Sequence, residues 1–123
     1  MEKIVFLPGA SGNIDFWKPL IEFLPKKYEK QIIGYPGFGR IAEDTRLKSF
    51  SDLQEYVTGK INSESILIAQ SMGGIFAVNK AFTDPSLIKG LVLIATSGGI
   101  DLTPFNVQDW RTEYQEQYPR YPE

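Results

Sequence analysis

Ser65-Ile66-Leu67-Ile68-Ala69-Gln70-Ser71-Met72-Gly73-Gly74 is the stretch that organises this chain. Its run of apolar residues without alternation suits a short strand buried on both faces. Ser71 then sits at a sharp turn between small residues, with Ala69 before it and Gly73 after it. A helix starts at once. A hydroxyl at such a turn projects clear of the backbone. The helix N-terminus adds free N–H groups and a partial positive charge where an oxyanion would develop. The plainer reading is a serine N-cap on a glycine-rich helix start. A buried strand on one side and an apolar helix on the other favour the nucleophile geometry. One fact opposes it: the chain contains no histidine, the usual base for such a serine.

Moving outward, three more apolar runs have the same unalternating character: Ile4 to Leu7, Gln31 to Ile33 and Leu91 to Ala95. Helical patterns separate them. Phe16, Leu20, Phe23 and Leu24 share one face of the first, which should end near Pro25. Ser51 with Gln54 three residues on predicts the start of the second as a capping box. Phe50, Leu53, Val57 and Ile61 form its apolar stripe. The third helix spans about Met72 to Phe82 and must stop before Pro85, because the residue preceding proline avoids helical angles. The alternation predicts an α/β fold, a parallel sheet of about four strands with helices on both faces.

Composition narrows the chemistry. The 123 residues fit one small domain, and 42% hydrophobic against 23% charged residues is enough to fold. A net charge of −2 gives no footprint for nucleic acid. With no cysteine and no histidine, disulfides, thiol catalysis and the common zinc and iron sites are not expected. No metal or cofactor is anticipated. The apolar start is too short for a signal peptide or membrane span, so a soluble cytoplasmic protein is expected.

Two loops join Ser71 at the carboxyl edge of such a sheet, where ligands bind. Pro8-Gly9-Ala10-Ser11-Gly12 follows the first strand, and the Ala10 N–H could join that of Met72 in an oxyanion hole. Gly34-Tyr35-Pro36-Gly37-Phe38-Gly39-Arg40 follows the second strand and is expected to shape one wall.

Taken in order, Leu7-Pro8-Gly9-Ala10-Ser11-Gly12 with Phe16-Trp17, then Tyr35-Pro36-Gly37-Phe38-Gly39, then Ala69-Gln70-Ser71-Met72-Gly73-Gly74 resemble the α/β-hydrolase superfamily. Gly90 to Ala95 looks like that family's strand after the nucleophile helix. The finer likeness is to cap-bearing bacterial esterases and carbon–carbon bond hydrolases, pimeloyl-carrier-protein methyl esterases among them. The resemblance covers about the first hundred residues. It implies a strand order of 4-3-5-6 in the family's numbering, in an incomplete version of the fold. Residues 1–100 would then be the N-terminal part of the core and 101–123 the start of a cap. It implies hydrolysis of a small acyl ester, with nucleophile Ser71, oxyanion donors Met72 and Ala10, and a pocket bordered by Gly9, Ser11, Trp17, Gln70 and Trp110. The aromatics Phe105, Trp110, Tyr114 and Tyr118 would line or cover the acyl site, or simply dock on the core.

The chain departs from the family where it matters most. The family's triad runs serine, acid, histidine, and no histidine follows Ser71. Lys80 lies more than two helical turns away, and Lys89 precedes the last strand on the wrong edge. Asp101 follows that strand on the right edge, but an acid without histidine completes no relay. The expectation is therefore a shortened, inactive portion of a serine hydrolase. The alternatives are a non-catalytic or two-chain interaction protein on the same fold, or a phosphate-binding α/β module. Partners would be the enzyme's C-terminal portion, or a second copy through the open sheet edge. The glycine run lacks both the dinucleotide spacing and the P-loop ending, which weakens the phosphate reading.

Overall fold

The computed structural model describes residues 2–100 and 103–105. Four parallel strands, β1 (Lys3–Leu7), β2 (Glu29–Ile32), β3 (Ser65–Gln70) and β4 (Ile88–Ile94), form one sheet in the order β2-β1-β3-β4. Three helices connect them: α1 (Lys18–Phe23), α2 (Phe50–Gly59) and α3 (Gly73–Thr83). Short 3-10 turns lie at Ile14–Trp17, Pro85–Leu87 and Thr103–Phe105. This is the predicted order, because the first strand of the chain is central and the second returns to its outer side. No helix among the described residues is long and apolar enough to cross a membrane.

The continuous apolar runs of β1 and β3 are explained by burial on both faces. Val5, Leu7, Leu67 and Ala69 face a cluster with Leu53, Val57 and Ile61 around α2 and Phe76 and Ala77 of α3. Ile4, Phe6 and Ile68 alternate to the other face and meet Trp17, with Ile21 and Leu24 against them. Each fully buried side chain of this kind contributes about 1.5–3 kcal/mol.

Boundaries and phases differ from the sequence reading in instructive ways. The inward face of the first helical segment is Trp17, Ile21 and Leu24. Phe16 and Phe23 of the anticipated stripe are 48% and 87% exposed. The segment opens as a 3-10 turn and becomes α-helical only at Lys18, and a three-residue turn changes the phase of the stripe. The second helix is capped by Ser49 rather than Ser51. The Asp52 N–H donates to Ser49 Oγ at 3.1 Å, and the Lys48 N–H donates to Asp52 Oδ2 at 2.9 Å. An aspartate two residues before the expected glutamine thus reaches back over the cap, to the N–H of Lys48 rather than that of Ser49. Phe50 is left half-exposed, stacked on Phe76 at 5.4 Å. β2 begins at Glu29, two residues early, and Ile33 follows it, bonded to Phe6 O at 3.0 Å. β4 begins at Ile88, so Lys89 lies inside the strand, and it ends at Ile94.

β4 closes one side of the sheet and is thinly covered. Leu91, Val92, Leu93 and Ile94 are 39–45% exposed, although they alternate between faces.

Candidate active site

Parallel pairing of Leu7 with Ala69 and of Gln70 with Ile94 brings the ends of β1, β3 and β4 to one edge. Ser71 leaves β3 with φ +51°. For a residue with a Cβ this region costs about 1–2 kcal/mol, and the neighbours hold it there. The Ser71 N–H donates to Ile94 O at 2.9 Å, and the Ser71 carbonyl accepts from the Gly74 N–H at 3.0 Å. The side chain is exposed, and its hydroxyl has no hydrogen-bond partner among the described residues. Two small residues permit the turn to sit this close. A Cβ on Gly73 would lie 2.7 Å from Pro8 O, and one on Gly74 would lie 2.8 Å from Thr96 Cβ.

The loop after β1 abuts the serine. A Cβ on Gly9 would be 3.2 Å from Ser71 Cβ and 3.1 Å from Gln70 Oε1. The Gly12 N–H closes the turn on Gly9 O at 3.0 Å. Neither the Ala10 nor the Met72 N–H has an acceptor among the described residues. Gly9, Ala10, Gln70, Ser71 and Met72 are thus gathered at one place. Ser11 lies further along the loop, where its Oγ accepts from the Asn13 N–H at 3.3 Å. Trp17 is not at the surface of this site. It is 1% exposed, in the core against Phe6 at a ring distance of 5.3 Å, because the 3-10 phase turns it inward. Trp110 and Asp101 lie outside the described residues, as do Tyr114 and Tyr118. Phe105 lies within the 3-10 turn at Thr103–Phe105, 67% exposed.

The loop after β2 packs on the loop after β1. Its backbone meets that of the first loop, since a Cβ on Gly12 would lie 2.8 Å from Gly39 N. A groove of about 290 Å³ runs between them, bounded by Ser11, Ile14, Arg40 and Ile41. Arg40 at its rim is already engaged by Asp15, which also takes Lys18 at 2.9 Å. The Lys18 ammonium and then Arg40 hold the Asp15 carboxyl below its usual range. The helical turn after the glycine loop starts with Asn13 accepting from the Asp15 N–H at 3.0 Å. An Asn cap followed by an acid there is no cradle for a phosphate.

The lysines are placed as anticipated with respect to the serine. Lys80 is buried at the far end of α3 and donates to Asp84 Oδ2 at 2.8 Å. Lys89 pairs with Glu64 at 3.3 Å, at the opposite edge of the sheet. Two contributors to the site escaped the sequence reading. Tyr35 is wholly buried, and its hydroxyl donates to Pro8 O at 2.6 Å. Thr96 covers Gly74, and Ala95 before it has φ +50°. A tyrosine inside a glycine-proline loop was the visible sign of the first; the second had none.

Comparison with known proteins agrees with this geometry. The alpha/beta hydrolase family model matches residues 4–122. Curated relatives include the pimeloyl-[acyl-carrier protein] methyl ester esterases of Wigglesworthia glossinidia brevipalpis, 31% identical over 95 residues, and of Yersinia pestis, 28% identical over 94 residues. The matches cover 77% and 76% of this chain, and 36% of each relative. The chain therefore spans about a third of the length of the curated relatives it matches. Similar solved structures include NosK from Streptomyces actuosus, with TM-score 0.72, 22% identity, and coverage of 97% of this chain and 54% of that one. A probable hydrolytic enzyme from Pseudomonas aeruginosa PAO1 has TM-score 0.70 and 21% identity, covering 98% and 43%. At these identities the structures speak to the fold. With a parallel sheet in this order, a serine bend after its third strand and a family match across nearly its whole length, the chain is a member of the α/β-hydrolase family.

Proposed function

We propose that this chain supplies the nucleophile and oxyanion side of a serine esterase acting on a carboxylic ester. The observation that carries the reading is Ser71 at φ +51°, its hydroxyl without a partner among the described residues, against a loop whose Ala10 N–H has no acceptor among them either. Ser71 Oγ attacks the ester carbonyl carbon, and the carbonyl oxygen becomes an oxyanion that receives the Ala10 and Met72 N–H groups. The C–O bond to the alcohol breaks, the alcohol leaves with a proton, and water releases the acid from the acyl-serine. The base that takes the Ser71 proton is not a histidine of this sequence. In the proposal it comes from another segment or chain. The curated relatives' printed activity makes a methyl ester of an acyl chain the substrate class to try first. Loss of triad members typically leaves only a small residue of the full rate.

The test is covalent labelling with a fluorophosphonate, with and without imidazole. Slow labelling at Ser71, absent in Ser71→Ala and accelerated at least ~10-fold by imidazole as a surrogate base, is expected. Labelling that survives Ser71→Ala would overturn the assignment. Rapid stoichiometric labelling without imidazole would show that a base within this chain had been missed.

A companion reading rests on β4. Its half-exposed Leu91 to Ile94 support pairing of this edge with a further strand, from the enzyme's C-terminal portion or a second copy. Light scattering on the isolated chain distinguishes a monomer from an associated state.

A further inference from the structure

We infer that Tyr35 is the positioning residue for the Ala10 donor, its buried hydroxyl pinning the peptide that launches the oxyanion turn. The inference rests on the nucleophile reading of Ser71 and deepens it.

Pro8 O is held from two sides. The Tyr35 hydroxyl donates to it at 2.6 Å, across 27 residues of sequence. The start of α3 closes the other side, where a Cβ on Gly73 would come within 2.7 Å of the same oxygen. The Pro8–Gly9 peptide plane is fixed by these contacts. The next peptide is fixed by the Gly12 N–H on Gly9 O at 3.0 Å. In a trans peptide the N–H points opposite to the C=O, so the bond that anchors Gly9 O also sets the direction of the Ala10 N–H. Pinning both carbonyls leaves the Ala10 N–H no freedom to turn toward Gly12.

Tyr35 belongs to the core cluster around α2 and α3 and adds a hydrogen bond to that packing. Its ring is clamped edge-on by Phe76 at 5.2 Å and by Phe38 at 6.0 Å. Burial pushes the phenol well above its usual range, so it stays a donor at every working pH. Its hydroxyl reaches across from the β2 loop to the β1 loop, tying together two segments that meet only at this edge.

The experiment compares the whole chain with Tyr35→Phe, which keeps the ring, and with Val57→Ala, a truncation in the same core cluster that removes no hydrogen bond. Amide exchange and 15N–1H spectra report the turn; the phosphonate probe reports Ser71. Tyr35→Phe should speed exchange at Gly12 at least ~10-fold relative to the β1 amides and move the Ala10 resonance. It should also slow Ser71 labelling roughly 10-fold, in line with partial loss of one oxyanion donor. Val57→Ala should lower the melting temperature while leaving those three readouts in place. Unchanged Gly12 and Ala10 signals in Tyr35→Phe overturn the inference. So does equal slowing of labelling by Val57→Ala, which would make the effect one of general stability. If the unaltered chain takes no phosphonate, the nucleophile reading fails, and the amide signals alone decide whether Tyr35 sets the turn.

Discussion

Replacing Gly73 by alanine is the sharpest test of how the serine bend is held. The new Cβ would stand 2.7 Å from Pro8 O and closer still to Leu7 O, whereas ordinary van der Waals contact begins at 3.4 Å. Both obstacles are backbone atoms of β1 and its loop, so no side chain can rotate away. Relief of the closer contact requires the first turn of α3 to back off β1 by about 1 Å. A gap of that order forfeits a quarter to a half of the dispersion energy of the contacts it opens, here those of Phe76 and Ala77. Overpacking of a core costs about 1–3 kcal/mol, and the rigid surroundings put this site at the upper end. For a chain of this size, about 3 kcal/mol corresponds to a fall in Tm of roughly 10–15 °C. Gly59→Ala is the matched control. It lies at the end of α2 with nothing within 4 Å of its added Cβ, and alanine there should add about 0.5–1 kcal/mol. Thermal unfolding followed by circular dichroism reads both. A Gly73→Ala protein melting within ~3 °C of the parent would refute the close approach of α3 to β1.

Ser71→Gly should stabilise the fold by about 1 kcal/mol while abolishing phosphonate labelling, because glycine accepts φ +51° without strain; a loss of stability by urea titration would count against strain at the bend. Ala95→Gly, at φ +50°, should likewise gain up to about 1 kcal/mol, and a melting temperature below the parent's would contradict this. The Asp44 carboxyl is held below its usual 3.8 by Arg46; its contribution to stability is thus present above that value and lost as pH falls through the folded-state pKa. Asp44→Asn should flatten the acid limb of a stability–pH curve below about pH 4, and an unchanged limb would sink the assignment. Leu93→Lys on the exposed β4 strand should suppress any self-association seen by light scattering; persistence of oligomers would move the contact elsewhere.

The parallel sheet was legible because both-face burial writes unalternating runs such as Ile66 to Ala69 into the sequence. The Ser71 bend was legible for a similar reason: small residues at Ala69, Gly73 and Gly74 have few other uses between a strand and a helix. What stayed hidden involved a choice between equivalent local signals. Ser49 and Ser51 both head plausible caps, and the decision depends on Asp52 reaching Lys48 N–H. Phe16 and Trp17 differ by one residue, and only the 3-10 geometry of Ile14–Trp17 sends the tryptophan into the core and the phenylalanine out. The Tyr35 bond to Pro8 spans 27 residues, and a tyrosine within a glycine-proline loop was its sole local sign.

The amide of Ser71 is latched to Ile94, the last residue of β4, an edge strand among the described residues. Fraying of that border strand would therefore slacken the serine bend, and a neighbour zipped along it would tighten the bend without approaching it. The geometry of the bend and the order of the sheet's margin are thereby linked through one hydrogen bond.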